Sequence, residues 1–282
     1  MSKPPRIATY LNFVKIEHTV FSLPLIFSGT LLYTHGWPGK RLIVLILLAA
    51  IGGRVVAMGV NRLIDAEIDA LNPRTKRREL PSKMMTVVEA LGIVILASAL
   101  YLIAAGAIAP VCLQLSLIPV ALFVVYPYLK RFTVLSHLGL GLAWSMGPLG
   151  GWLAGSKSLS GISEVGWLWL FSVLWVAGFD IIYATMDEAF DRQAKLHSLP
   201  AQMGRGRALQ VAAILHAAAF CSLATLWYTQ LYSPVALRWL VGVGALFIWQ
   251  HAVADRKPEF AFFQLNGLLG FLVLGMVLAG MR

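Results

Sequence analysis

The chain is a string of long apolar stretches separated by short polar loops, and that alternation leaves few folds open to it. Nine stretches run approximately Ile16–Tyr33, Leu42–Ile64, Val87–Ala107, Val111–Tyr126, Leu135–Leu153, Val165–Tyr183, Ala208–Tyr228, Pro234–Val253 and Ala261–Met281. Each comes close to the roughly 20 residues that a helix needs to cross a hydrocarbon core about 30 Å thick. The split between the third and fourth rests on Pro110. Composition agrees: 59% of the 282 residues are hydrophobic and 13% charged, against roughly 25% charged in a typical soluble domain. A soluble enzyme, a secreted disulfide scaffold and a disordered regulator are excluded. The expected fold is an all-α polytopic membrane protein of nine transmembrane helices, forming one domain over residues 1–282. Cys112 and Cys221 sit singly inside apolar runs and read as small packing residues. The first apolar stretch lacks a small-residue cleavage site and reads as a span, not a secretory signal.

A net charge of +10 would raise the question of nucleic acid in a soluble protein. Here the loops explain it, and no nucleic-acid partner is implied. With a cytoplasmic N-terminus, that side of the bilayer gathers 17 of the 23 lysines and arginines, including Lys3, Lys15, the Arg74–Arg78 run, Lys130 and Arg131. The far side keeps Lys40, Arg41, Lys157, Arg238 and Arg282, and Arg54 lies inside a span. This bias sets the orientation, with the C-terminus outside after nine crossings, and the expected location is a cytoplasmic (inner) membrane of prokaryotic type.

The acids are more informative. Seven of the 13 fall in two clusters, Asp65, Glu67, Asp69 and then Asp180, Asp187, Glu188, Asp191, which end the second and sixth spans on the cytoplasmic side. Asn61, Asp65 and Asp69 are four apart, so on a helix they fan over only about 80°. Asp180, Tyr183, Asp187 and Asp191 do the same. Like charges at this spacing repel and need compensating cations. Carboxylates with an amide oxygen, and no Cys or His among them, suit a hard ion such as Mg²⁺, which binds one or two carboxylates together with substrate phosphates. Asn61, Asp65, Asp69, Asp187 and Asp191 are the candidate metal ligands, and a diphosphate is the natural substrate group. The bland reading is that the acids pair with the neighbouring cations of the Arg74–Arg78 run. Asp65 and Asp187 lie 122 residues apart, as do Asp69 and Asp191, which hints at two four-helix halves plus a ninth helix.

These runs resemble a known family. Asn61-Arg-Leu-Ile-Asp65-Ala-Glu-Ile-Asp69 is similar to the N-D-x-x-D-x-x-x-D motif of the UbiA superfamily of intramembrane prenyltransferases. Asp180-Ile-Ile-Tyr183-Ala-Thr-Met-Asp187-Glu-Ala-Phe-Asp191 is similar to its second motif, D-x-x-Y-x-x-x-D-x-x-x-D. Tyr126-Pro-Tyr-Leu-Lys130 matches the Y-x-x-x-K element between them. The resemblance implies nine helices around a central cavity that opens to lipid, and Mg²⁺-dependent transfer of a polyprenyl chain from its diphosphate to an acceptor. The branch acting on 4-hydroxybenzoate for ubiquinone is closest, and one acting on aromatic menaquinone precursors stays open. Arg62 stands where the family often has Asp, and His197-Ser198-Leu-Pro200 stands where the ubiquinone branch has a Lys-Ser pair. Leu71-Asn-Pro-Arg-Thr looks more like the menaquinone-type relatives. These departures bear on the acceptor.

Roles follow for the remaining residues. Two Mg²⁺ ions across the diphosphate would stabilise its departure, with Lys130, Lys76, Arg77 and Arg78 as candidate phosphate contacts. Tyr126 and Tyr183 are candidates to face the allylic cation, and Asp180 to activate the acceptor. Arg54 lies seven residues before Asn61, about two turns deeper on the same face. A buried Arg is costly and usually functional, and a benzoate carboxylate is a fitting partner. Gly147, Gly151 and Gly155 recur every four residues and read as a close helix contact. His137, His216 and His251 read as isolated core or interfacial residues. An ion-coupled transporter is the competing class. A CDP-alcohol phosphotransferase is set aside because no D-G-x-x-A-R run exists.

Overall fold

The structure is a computed structural model that describes residues 6–15 and 19–281. The described residues form helices and no strands. A short helix α1 (Arg6–Val14) precedes α2 (Thr19–Thr34), α3 (Lys40–Ile64), the single-turn α4 (Ala66–Leu71) and α5 (Val87–Ile108). Next come α6 (Pro110–Leu115), α7 (Leu117–Leu129), α8 (Ser136–Ser156), α9 (Gly166–Ala184), α10 (Glu188–Gln193) and α11 (Leu199–Met203). The chain ends with α12 (Arg205–Gln230), α13 (Pro234–Ala254), the short α14 (Pro258–Phe260), a π-helical turn (Ala261–Leu265) and α15 (Asn266–Gly280).

A helix occupies each predicted span, and seven helical segments are long and apolar enough to cross a membrane. The other two are α2, whose apolar part is Phe21–Thr34, and α8, whose glycines and serines dilute its hydropathy. Ile16, Lys3 and Arg282 lie outside the described residues. The helix α1 was not anticipated; it packs Phe13 against Gly59, and Tyr10 donates to Glu89. At Pro110 the expected break is present. Ala109 is extended, and the proline opens α6 at a position where its missing N–H costs nothing. The α5 helix starts in a capping box between Thr86 and Glu89.

Between apolar helices in lipid there is little hydrophobic gain, so small residues that permit close packing decide the contacts. On α5, Ala90, Ala97 and Ala104 face inward, and Val88, Ile95, Leu96 and Ile103 face outward. The inward alanines admit α3 so closely that a Cβ on Gly52 would lie 2.9 Å from the Tyr101 nitrogen. The glycine stripe of α8 does what its spacing suggests. A Cβ on Gly151 would lie 1.9 Å from the Ile26 carbonyl oxygen, one on Gly29 would lie 2.0 Å from that of Pro148, and Thr30 donates to the Gly151 carbonyl at 2.8 Å. Thus α2 and α8 seal together, α8 packs on α9, and α9 on α12. The C-termini of α3, α7 and α9 meet the N-termini of α8 and α11 at one end of the bundle, joined by the contacts described below.

Candidate active site

The first acidic run sits at the end of α3. Asp65 adopts φ −92°, ψ 1°, which breaks the helix and starts α4. The turn pattern nevertheless continues through the break. Asp65 N–H donates to the Asn61 carbonyl at 2.9 Å and Asp69 N–H to the Asp65 carbonyl at 2.8 Å, so the four-residue spacing survives. Asp65 is buried, and its Oδ2 accepts from Lys130 Nζ at 2.6 Å and from Asn61 Nδ2 at 3.2 Å. Burial pushes the Asp65 carboxyl above the usual carboxylate range, and the Lys130 ammonium offsets only part of that. Asp69 is also buried, with Arg78 Nη1 at 2.9 and 2.7 Å from its two oxygens.

The second run repeats the local design. The α9 helix ends in a tight 3₁₀ turn, and Asp187 takes φ −108°, ψ 5° before α10 begins. Asp187 Oδ1 accepts from Asn72 Nδ2 and from Arg74 Nε, both at 2.8 Å, while Arg74 Nη2 bonds Oδ2. The same guanidinium donates to the Tyr183 hydroxyl at 2.6 Å and lies 4.8 Å from the Tyr183 ring centre. The loop after the first motif therefore clamps the second. Asp191 faces the Ser198 hydroxyl and the charges of Lys130 and Asp187. His197 N–H donates to the Lys130 carbonyl at 2.7 Å, which ties the loop after α10 to the end of α7.

Asp180, one turn before Tyr183 on α9, pairs with His137 of α8. The His137 Nδ1 to Asp180 Oδ2 distance is 2.7 Å. Tyr126 lies in the electrostatic reach of Asp65, Asp180 and Arg54. Below this polar end is an apolar cavity of about 380 Å³ between α2, α3, α5, α7 and α8. Ala49, Gly53, Tyr101, Phe123, Trp144 and Gly150 are among its walls, and Arg54 is the one charged residue lining it among the described residues. The Arg54 guanidinium stacks 5.2 Å above the Trp144 ring. Tyr183 packs against Phe262 and Phe263 of the π-helical turn, at 4.3 and 6.3 Å between ring centres.

Comparison with known proteins decides the family. Residues 22–278 match the model of the UbiA prenyltransferase family. The chain belongs to that family. It is 28% identical to the 4-hydroxybenzoate octaprenyltransferase of Vibrio atlanticus (strain LGP32), over 94% of either chain. It is 30% identical to that of Coxiella burnetii (strain Dugway 5J108-111), over 86% of this chain and 85% of the relative. Among solved structures, the apo UbiA homolog from Aeropyrum pernix K1 superposes with a TM-score of 0.87 at 32% identity, covering 95% of this chain and 99% of that one. A UbiA homolog from Archaeoglobus fulgidus bound to GPP and Mg²⁺ gives 0.73 at 20% identity, covering 97% and 99%. This UbiA-family chain is thus a prenyltransferase and an integral membrane protein, which removes the transporter reading.

For this prenyltransferase the structure brings Asn61, Asp65 and Lys130 together, joins Tyr183 to Asp187 through Arg74, and sets Arg54 at the cavity. Lys76 and Arg77 are exposed and make no ion pair among the described residues, whereas the other two anticipated phosphate contacts, Arg78 and Lys130, each reach an acid. Arg74, Asn72 and Ser198, read only within longer runs, and His137, read as an isolated core or interfacial residue, are not among the candidate site residues of the sequence. Cys221 is exposed, not packed inside. Nor are the histidines isolated: His137 pairs with Asp180, and His216 Nδ1 lies 2.9 Å from His251 Nε2. The pairing of acids with loop cations does occur, at Asp69–Arg78 and Asp187–Arg74. Among the described residues no three His, Cys, Asp or Glu side chains converge on one point. A hard divalent ion fits this set all the same. The donors are carboxylate and amide oxygens, the buried Asp65 Oδ1 has no hydrogen-bond partner among the described residues, and Mg²⁺ needs only one or two carboxylates when phosphate oxygens complete its shell.

Proposed function

We propose that this enzyme transfers a polyprenyl group from polyprenyl diphosphate to the ring of 4-hydroxybenzoate, in ubiquinone biosynthesis, with two Mg²⁺ ions. The observation that carries this reading is the placement of Arg54. Among the described residues it is the charged residue that lines the apolar cavity, two helical turns from a cluster of carboxylates and cations, and it suits an acceptor carboxylate beside a diphosphate site. Asn61, Asp65, Asp69, Asp187 and Asp191 would hold the ions, whose charge would offset that of the departing diphosphate. Lys130, Arg74 and Arg78 orient these acids and add positive charge at the diphosphate, and Lys76 and Arg77 extend that field along the loop. The cavity walls exclude water from the allylic cation. Tyr126 and Tyr183 turn electron-rich faces toward it, and Asp180 takes the proton from the acceptor.

The chain forms one domain, and we read it as two related halves plus a final helix. The shared conformation of Asp65 and Asp187, each followed by a six-residue helix, supports that duplication. Nine crossings would place the polar end in the cytoplasm and the C-terminus outside. The run Leu71-Asn-Pro-Arg-Thr favours an aromatic menaquinone precursor as the second candidate acceptor. The test is product mass after incubating purified protein with geranyl diphosphate and 4-hydroxybenzoate, with Mg²⁺ or with EDTA. Prenylated benzoate that disappears with EDTA is expected. Consumption of the diphosphate with the benzoate untouched would overturn the acceptor, and the menaquinone precursors would replace it.

A further inference from the structure

His137 has both ring nitrogens committed. Leu199 N–H donates to Nε2 at 3.2 Å, so Nε2 carries no proton; the proton is therefore on Nδ1, which donates to Asp180 Oδ2 at 2.7 Å. The imidazole is buried, whereas the Asp180 side chain keeps 22% of its surface open. A rigid neutral donor thus grips one oxygen of a half-open carboxylate and leaves the other for a second partner. Leu199 starts α11 directly after Ser198, the residue facing Asp191. One side chain therefore registers Asp180 against the loop that completes the second acidic motif.

We infer that His137 is a positioning residue for proton removal from the acceptor ring by Asp180. This rests on the prenyl-transfer reading above and assigns a role to a residue that reading does not use. In the reaction, the prenyl C1–O bond to diphosphate breaks with its electron pair leaving on the diphosphate. An electron pair of the acceptor ring then forms a bond from a ring carbon to C1 of the allylic cation. The attacked ring carbon then carries both the prenyl group and a hydrogen. The Asp180 carboxylate takes that hydrogen as a proton, the C–H pair restores aromaticity, and the carboxylic acid later releases the proton to water. His137 holds the carboxylate at one orientation throughout and neither gains nor loses a proton. Misplacing a general base by about 1 Å is enough to cost on the order of 10²-fold in rate.

The experiment compares wild type, His137→Leu, His137→Gln, Asp180→Asn and the His137→Leu/Asp180→Asn double variant, using 4-hydroxybenzoate with hydrogen or deuterium at the ring positions beside the hydroxyl. In wild type the isotopes are expected to react alike, the result when C–C bond formation limits the rate. In His137→Leu, kcat falls about tenfold or more and a primary isotope effect emerges, because proton removal has become limiting. His137→Gln, which keeps an N–H donor, stays closer to wild type in both readouts. The double variant is no slower than Asp180→Asn, as expected when one residue acts through the other. A slower His137→Leu enzyme with no isotope effect, or a double variant slower by the product of the single losses, would overturn the inference and leave His137 a packing residue. Should His137→Leu not fold, Asp180→Asn still decides: an isotope effect of one in that variant overturns the inference. If wild type prenylates another aromatic ring, the comparison runs on that ring deuterated, so the two readings fail separately.

Discussion

Three acids of the site, Asp65, Asp69 and Asp187, are each held by a cation from elsewhere in the chain, and this sets what single substitutions do. Asp65 bonds Lys130, 65 positions away, and Asp187 bonds Arg74, 113 positions away. Asp65→Asn and Asp187→Asn keep the shape and much of the hydrogen bonding but remove the charge a divalent ion needs. Prenyl transfer should fall by at least about 10²-fold, the scale of losing one electrostatic contact to a transition state, while the purified protein still elutes as a single species. Full activity in either variant would remove the metal assignment. Arg54→Ala should instead raise the KM for 4-hydroxybenzoate about 10-fold to 100-fold, the 1.5–3 kcal/mol of a hydrogen bond between charged groups. Prenyl alcohol release without acceptor should be untouched; a defect confined to the diphosphate would refute the carboxylate role. The acids and Arg54 are legible in the sequence because charge inside or beside an apolar span has few innocent explanations. Arg74 and His137 are not. Arg74 sits in a basic loop where topology already accounts for cations, and His137 differs from an ordinary core histidine only through a partner on another helix.

Helices were legible in proportion to how much of their pattern is local. Pro110 marks a break wherever it falls, and the α8 glycines announce a close contact through spacing alone. The single turns α4 and α10 could not be read, because they exist where Asp65 and Asp187 leave the helical conformation and tertiary pairing holds them there. The π-helical turn is another case. Its register depends on Gln250 Nε2 donating to the Ala261 carbonyl at 2.9 Å and to Asn266 Oδ1 at 3.0 Å, a buried network that Trp175 joins. The extra residue such a turn accommodates sets Phe262 against Tyr183. For α8 the packing makes a paired prediction. Gly151→Ala puts a methyl group into the Ile26 backbone and should destabilise the protein by about 1–3 kcal/mol, the usual cost of overpacking. Gly150→Ala meets nothing within 4 Å and should be neutral or stabilising by up to about 1 kcal/mol through helix propensity. Thermal unfolding in detergent reads both, and equal responses would mean that α2 and α8 do not seal at this stripe.

At the scale of the molecule, polarity is segregated along one axis. The acids, Lys130, Arg74, Arg78 and His137 gather at the end shared by α3, α7 and α9, and the apolar cavity runs from Arg54 toward Ile162 at the opposite end. This arrangement solves a solubility problem. In the proposed reaction the diphosphate head and an aromatic acid would be met from water, whereas the polyprenyl tail needs an oily wall, so the site would stand where the two phases meet. We propose that this end faces the cytoplasm, a direction read from the loops. Arg74, Lys76, Arg77 and Arg78 lie on it, and cationic loops stay on the cytoplasmic side. Single cysteines test this after Cys221, which is exposed, is changed to Ala; Cys112 is buried. With an impermeant thiol reagent, Arg77→Cys should label only in inverted vesicles, and Arg238→Cys, at the start of α13, only in intact cells. The reverse pattern would place the acidic end outside and require both soluble substrates to be supplied from there. Labelling of both positions from one side would contradict an odd number of crossings between them, and with it the alternation of spans from which this reading of the chain begins.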